Sequence, residues 1–127
     1  QRTSLIKKEK VDSHRRDFLL EDFDHEKRRL VDWVQGSAFM IDAKLFQDLG
    51  GFDERYFMYY EDVDLCRTSW IQGRPVYYLP EAVLYHAYGK ASAEGESTID
   101  KLLHNRTTRI HITSWLKYTL KWLGQKI

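Results

Sequence analysis

The sequence predicts a mixed α/β domain, and three observations carry that expectation. Two extended apolar segments, residues 31–41 and 76–86, bracket two short helical patterns. A glycine closes each of those helices, and a longer helical pattern ends the chain. At the centre, the pair Gly50-Gly51, the aromatic run from Phe52 to Tyr60 and the acidic cluster Glu61-Asp62-Val63-Asp64 follow one another without a gap. Aromatic runs belong in cores and acidic clusters in water. Where one feeds into the other, the carboxylates are expected at the rim of a packed pocket that tunes their ionisation.

Residues 1–30 are dominated by charge: Lys7-Lys8-Glu9-Lys10, Arg15-Arg16 and Lys27-Arg28-Arg29, with acids between them. Such runs are usually solvated faces, so a charged arm is expected, or a loop covering an acceptor site or meeting acidic lipid. Phe18, Leu19, Leu20 and Phe23 fit one short amphipathic turn. The segment 31–41 reads as extended, with the apolar run Phe39-Met40-Ile41 and with Gly36-Ser37 marking a close approach of backbone or ligand. Asp42 can cap a helix from Ala43 to Leu49, which Gly50-Gly51 ends in the left-handed conformation open to glycine.

A second helix is expected from Glu61 to Gln72, closed by Gly73. Arg74-Pro75 forms a turn, Val76 to Leu79 a strand, and Ala82 to His86 a further extended piece beyond Pro80-Glu81. Residues 88–97 read as a loop rich in Gly, Ala and Ser. Ser97 and Asp100 have the spacing of a capping box. A helical pattern then runs to Trp122, with a break near Asn105.

Composition narrows the function. The chain has 127 residues, 43% of them apolar, 31% charged and 14% aromatic, which suits a soluble domain with a modest core. A net charge of +1 gives no polyanion signal and argues against nucleic acid. The single cysteine, Cys66, excludes an internal disulfide and most structural zinc schemes, and suggests a reducing compartment. No apolar run is long enough to span a bilayer, and no signal peptide opens the chain. The start on Gln1 inside a charged stretch is that expected of a piece of a longer protein.

The Glu61-Asp62-x-Asp64 cluster admits three interpretations. It can simply complement the helix dipole. A calcium loop fails, since the sixth position counted from Asp62 is Arg67, and from Glu61 it is Cys66, where an EF-hand needs glycine. The third is a catalytic base beside a substrate hydroxyl, at a helix start that favours its negative charge. His86, at the end of an extended piece, is either a packed histidine or a metal ligand completed by residues elsewhere. The run Trp115-Leu116-Lys117-Tyr118-Thr119-Leu120-Lys121-Trp122-Leu123 is either a helix burying one face or an interfacial membrane helix.

Several motifs in order settle the resemblance. Val31-Asp32-Trp33-Val34-Gln35-Gly36-Ser37-Ala38, then Leu49-Gly50-Gly51-Phe52-Asp53-Glu54, then Tyr56-Phe57-Met58-Tyr59 with Glu61-Asp62-Val63-Asp64-Leu65-Cys66, then Gly73, and last Tyr78-Leu79-Pro80-Glu81-Ala82-Val83 with His86, resemble family-2 glycosyltransferases. The nearest branch is the bacterial rhamnosyltransferase-like enzymes of surface-polysaccharide synthesis. The match is strong over 31–92, weak over the helical tail and almost nil over 1–30.

The resemblance implies a GT-A fold, of which this chain would be the C-terminal, acceptor-side half. No βαβ pattern precedes Val31, so the family's first half, with its strand-borne Asp-x-Asp metal motif, has no counterpart. By the same resemblance, residues 1–30 are a charged arm or acceptor-side loop, 31–97 half of the catalytic domain and 98–127 a helical extension. Asp62 would be the base that deprotonates the acceptor for an inverting attack, with Glu61 helping to position it or the acceptor. Trp33, Gly36 and Asp53 would lie at the substrates, and His86 would join a divalent metal, Mn²⁺ or Mg²⁺, in the full-length protein. Asp64 would be structural. The implied partners are a nucleotide-sugar such as dTDP-rhamnose and a glycan or lipid-linked acceptor.

Taken alone, the piece is expected to bind no metal, to be inert and to self-associate as a dimer through surfaces meant for the missing half. Its expected place is the cytoplasm, peripheral at the inner face of the plasma membrane. A non-catalytic glycan- or protein-binding module that keeps the fold is the alternative; it would tolerate Asn at position 62. A membrane-surface adaptor working through residues 115–127 is a third.

Overall fold

The computed structural model of the chain describes residues 23–86 and 105–125. Among the described residues, three helices and one strand pair make a mixed α/β architecture: β1 (Arg29–Leu30), α1 (Ala43–Asp48), α2 (Glu61–Ile71), β2 (Tyr77–Tyr78) and α3 (Arg106–Lys121). The loop 88–97, the Ser97–Asp100 capping box and the Phe18–Leu20 turn lie outside the described residues.

Local sequence sets the helix ends. The Asp42 carboxylate accepts the Leu45 N–H at 2.9 Å and starts α1. The helix stops one residue short of the expected Leu49, which serves as its cap. Gly50, at φ +87°, donates to Gln47 O, and Gly51 reaches back to Phe46 O at 2.9 Å. That pair of bonds is a Schellman closure, and it needs the left-handed glycine. The same device ends α2: Gly73, at φ +71°, donates to Trp70 O, and Arg74 N–H reaches Ser69 O. For α3, Asn105 is where the long helical pattern breaks, and its side chain caps Thr108 N–H at 3.1 Å.

The strands differ from expectation in place and length. β1 and β2 pair antiparallel, with Arg29 opposite Tyr78 and Leu30 opposite Tyr77. Val31 N–H extends the ladder to Val76 O at 3.0 Å. Pairing therefore begins upstream of the segment read as extended. Residues 32–41 are irregular, because the Gly36-Ser37 turn closes Ala38 N–H onto Gln35 O. Ala82–His86 forms no strand either: a turn at Pro80-Glu81 joins Ala82 N–H to Leu79 O, and the residues beyond are exposed. The ring edges of Phe23 and His25 pack on Tyr78, and Tyr78 O–H donates to His25 O, which covers one end of the pair.

Between the helices the packing is mostly polar. Among the described residues, the buried apolar side chains are Tyr56, Leu65 and Cys66, and they share the interior with Asp64, Ser69 and Ser114. Trp70 on α2 donates its indole N–H to Val31 O at 3.1 Å, which ties the helix to the strand pair. On its other side α2 meets α3. Arg67 donates to Tyr118 Oη and to Gln125 O, and its guanidinium stacks 4.6 Å from the Trp122 ring centre.

Candidate active site

The start of α2 is held by backbone in an uncommon conformation. Tyr59 and Tyr60 both have left-handed φ, 68° and 70°, a region that bulky residues seldom adopt. The surroundings fix them there. Ser114 Oγ donates to Met58 O at 2.7 Å, His111 packs on both tyrosine rings, and Tyr118 packs on Tyr60. Tyr60 offers no side-chain cap to the helix it precedes. The acids of the first turn fill that role: Asp62 Oδ1 accepts the Val63 N–H at 2.8 Å.

The other oxygen of Asp62 points across to a distant stretch of chain. Asp62 Oδ2 accepts the Gly36 N–H at 2.7 Å, joining two motifs 26 residues apart. A Cβ at Gly36 would sit 3.4 Å from that oxygen, so any side chain there would crowd the carboxylate. Asp62 lines a cavity of about 460 Å³ together with Cys66, Phe39, Met40, Tyr77 and Leu79. The pocket is mainly apolar, with Arg28, Asp42 and Asp62 as the charged groups in its wall, the composition expected of a small-molecule site. Burial pushes the Cys66 thiol up, and the Asp62 charge adds to that.

Glu61 is partly buried, and its Oε2 has no hydrogen-bond partner. Burial raises its carboxyl above the ordinary value, its own backbone N–H opposes this, and the Asp62 charge raises it further. Asp64 faces the opposite way. It is 3% exposed, and its two oxygens take Lys121 Nζ at 2.7 Å, Trp122 Nε1 at 2.7 Å and Tyr56 Oη at 3.2 Å. Burial raises the Tyr56 phenol, and the Asp64 charge adds to it. Asp53 shares the same cation: Lys121 Nζ lies 2.7 Å from its Oδ2, and Arg55 grips it with a fork of bonds down to 2.6 Å. The Arg55 guanidinium, then Lys121, hold the Asp53 carboxyl far below the carboxylate range against the cost of burial.

Of the residues singled out from sequence, the structure brings Gly36 and Asp62 together, with Glu61 beside them on α2. Asp53 joins the Lys121 cluster, where Arg55 and Lys121 engage its carboxylate. Trp33 is 43% exposed, and His86 is exposed at the end of the described segment. Asp62 and Asp64 have the spacing of an Asp-x-Asp pair, yet they face different partners. Among the described residues no three His, Cys, Asp or Glu side chains converge as a metal site, so these donors do not by themselves fit a divalent cation.

Sequence reasoning passed over Cys66 as a wall of the pocket and Lys121 and Ser114 as anchors. The signal for Lys121 was a cation set between Leu120 and Trp122.

Comparison with known proteins accords with the motifs. The chain matches no family profile, and no solved structure matches it. By sequence it is similar to glycosyltransferases. More particularly it is rhamnosyltransferase-like. It is 38% identical over 100 residues to the N-acetylglucosaminyl-diphospho-decaprenol L-rhamnosyltransferase of Mycobacterium tuberculosis (strain CDC 1551 / Oshkosh), covering 74% of this chain and 32% of the relative. It is 34% identical over 89 residues to rhamnosyltransferase WbbL of Escherichia coli (strain K12), covering 70% of this chain and 31% of the relative. A shorter match, 42% over 36 residues, joins 28% of this chain to 12% of the low-salt glycan biosynthesis hexosyltransferase Agl10 of Haloferax volcanii. The chain thus spans about a third of the length of the two rhamnosyltransferases.

Proposed function

We propose that this chain supplies the acceptor side and the general base of an inverting glycosyltransferase with a GT-A fold. The complete protein would move a sugar, rhamnose by analogy with its relatives, from a nucleotide-sugar to a glycan or lipid-linked acceptor. The observation that carries the proposal is the Asp62 carboxylate, fixed by Gly36 N–H at 2.7 Å in the wall of an apolar pocket. Each carboxylate oxygen has two acceptor positions and spends one on a backbone N–H, so each keeps one for a substrate hydroxyl.

In this reading the acceptor hydroxyl donates to Asp62 and gives up its proton as its oxygen bonds to the anomeric carbon. The bond to the nucleoside diphosphate breaks in the same in-line step, which inverts the sugar centre. The two backbone bonds hold the base within hydrogen-bonding reach. Glu61, beside it and raised by burial, helps orient the acceptor. Trp33 is an exposed ring for a sugar face, and Gly36 keeps the approach to Asp62 open. Asp53 supports the site from behind through Lys121. A divalent cation, Mn²⁺ or Mg²⁺, belongs to the reading as a requirement of the longer protein, where it would offset charge on the leaving diphosphate. His86 is the one imidazole this chain would contribute, and no step here runs through it.

The chain alone is expected to be inert, because the donor-binding motifs of the resemblance are not in its sequence. Its exposed apolar side chains, among them Met40, Val83 and Leu84, suit self-association as a dimer. Among the described residues no helix is long and apolar enough to cross a membrane. A lipid-linked acceptor would bring the protein to the cytoplasmic face of the membrane as a peripheral partner.

The test is metal-supported release of nucleoside diphosphate by the natural full-length polypeptide, offered a panel of nucleotide-sugars and lipid-linked acceptors. Release that Asp62→Asn lowers by orders of magnitude supports the proposal. Unchanged release removes Asp62 from the mechanism, and no release with any donor turns the reading to a binding module.

A further inference from the structure

Helix α3 turns two polar side chains inward: Ser114 is 2% exposed on Met58 O, and Lys121 is spent on Asp53 and Asp64. Several of its apolar side chains face outward. Ile112, Trp115, Leu116 and Leu120 are exposed at helical spacing, and Leu123 continues the stripe just past the helix end. An apolar stripe of this length left open to water marks a contact surface.

A cationic groove of about 440 Å³ runs beside the stripe. Arg106, Arg109 and Lys117 line it, with Thr113 and the exposed ring of Phe57. No acidic side chain lines it, and α3 contains none. Among the described residues no carboxylate pairs with Arg106 or Arg109. Lys117 spends one proton on Arg55 O at 2.6 Å and keeps two.

We propose that the outward face of α3 docks in the plane of an anionic phospholipid bilayer. The apolar stripe enters the acyl boundary, Trp115 sits at headgroup level, and Arg106, Arg109 and Lys117 take lipid phosphates in the groove. Charge complementarity selects this occupant. A second copy packed stripe to stripe would bring the same three cations towards each other, whereas a phosphate surface neutralises them. The assignment gives a surface to the membrane contact of the glycosyltransferase reading and rests on that reading. Binding is measured without turnover, so the two can fail separately.

The experiment is sedimentation of the protein with vesicles of phosphatidylglycerol and phosphatidylcholine against phosphatidylcholine alone. Binding to the anionic vesicles is expected to be at least about tenfold stronger and to weaken with salt. The double variants Arg106→Ala/Arg109→Ala and Leu116→Asp/Leu120→Asp should each lower it about tenfold or more while keeping the helical circular-dichroism signal. Bromine-labelled lipid should quench indole fluorescence, and Trp115→Phe should remove most of that quenching. Asp62→Asn should bind as the parent does. Equal binding to neutral vesicles, no binding, or a dimer in sedimentation that Leu116→Asp/Leu120→Asp converts to monomer would each overturn the proposal.

Discussion

Asp62 and Asp64 stand two residues apart in the first turn of one helix, and the fold uses them in opposite ways. Asp64 is enclosed: a lysine, an indole and a phenol occupy its oxygens, and almost no surface remains. Asp62 holds two backbone N–H groups and otherwise looks into an apolar pocket. Backbone donors fix a carboxylate in place and still leave it acceptor positions. Side-chain cations and ring donors build it into the framework. The comparison teaches that proximity in sequence and identical chemistry do not assign a role; the type and number of donors around each oxygen do.

The comparison can be broken hardest at Asp62. Asp62→Asn is expected to lower glycosyl transfer by about 10²–10⁴-fold, the range for loss of a general base, with a modest fall in melting temperature because its amide NH2 must face one of the two backbone N–H groups. Steady-state nucleoside diphosphate release and a thermal scan on one preparation would show both.

The mirror experiment is Asp64→Ala. It strands Lys121 beside Asp53 and leaves two ring donors unpaired, so a loss of about 3–5 kcal/mol is expected, read by urea unfolding. Lys121→Met should cost somewhat less, about 2–3 kcal/mol, because Arg55 still holds Asp53. Its pH dependence has a definite sign. The folded Asp53 carboxyl is depressed below its ordinary 3.8, so its contribution is present above that pH and is lost as pH falls towards the folded value. The gap between the parent and Lys121→Met should therefore be full at neutral pH and close in strong acid.

Gly36 holds the other end of the contact that sets Asp62 apart. Gly36→Pro removes the N–H that fixes Asp62 Oδ2 and should lower transfer by about tenfold, the scale of one lost positioning bond. Gly36→Ala keeps the donor but sets a methyl at contact distance, so a smaller fall is expected.

The smallest effect is at Glu61. Its carboxyl is raised by burial, so ionisation penalises the folded state as pH rises above the ordinary value of 4.5. Glu61→Gln should raise the melting temperature slightly at pH 7, and the gain should vanish in acid.

Helix boundaries were largely legible in the sequence, because short-range chemistry sets them. Asp42, Gly50-Gly51, Gly73 and Asn105 each act within a few residues, and each ends or begins an element where expected. The strand pair was less legible. Arg29–Leu30 reads as part of a charge run, and only its partner across the chain, Tyr77–Tyr78, makes it a strand.

Within the site, the acidic cluster was visible as a pattern, but not which acid faced what. Local spacing treats Asp62 and Asp64 alike, and the separating contacts come from Gly36 on one side and from Lys121 and Trp122 on the other. Asp53 was assigned by motif to the substrates, and Arg55 two residues on was the local hint of a framework role. The left-handed pair Tyr59-Tyr60 gave no signal, since tyrosine rarely adopts that conformation unless tertiary contacts impose it.

The seam between α2 and α3 has a mechanical consequence. A greasy helix contact can slip by one turn and find equivalent packing. Tyr118, Lys121 and Trp122 instead bond to Arg67 and Asp64 on α2, and Ser114 and Lys117 to Met58 O and Arg55 O just before it, each through a directional bond. A shift of one turn, about 5.4 Å, would break all of them at once. Helix α3 therefore has one stop, like a key with five wards. A pull on its outer face would release it completely or leave it seated, and the position of the acidic helix start is indexed to that stop.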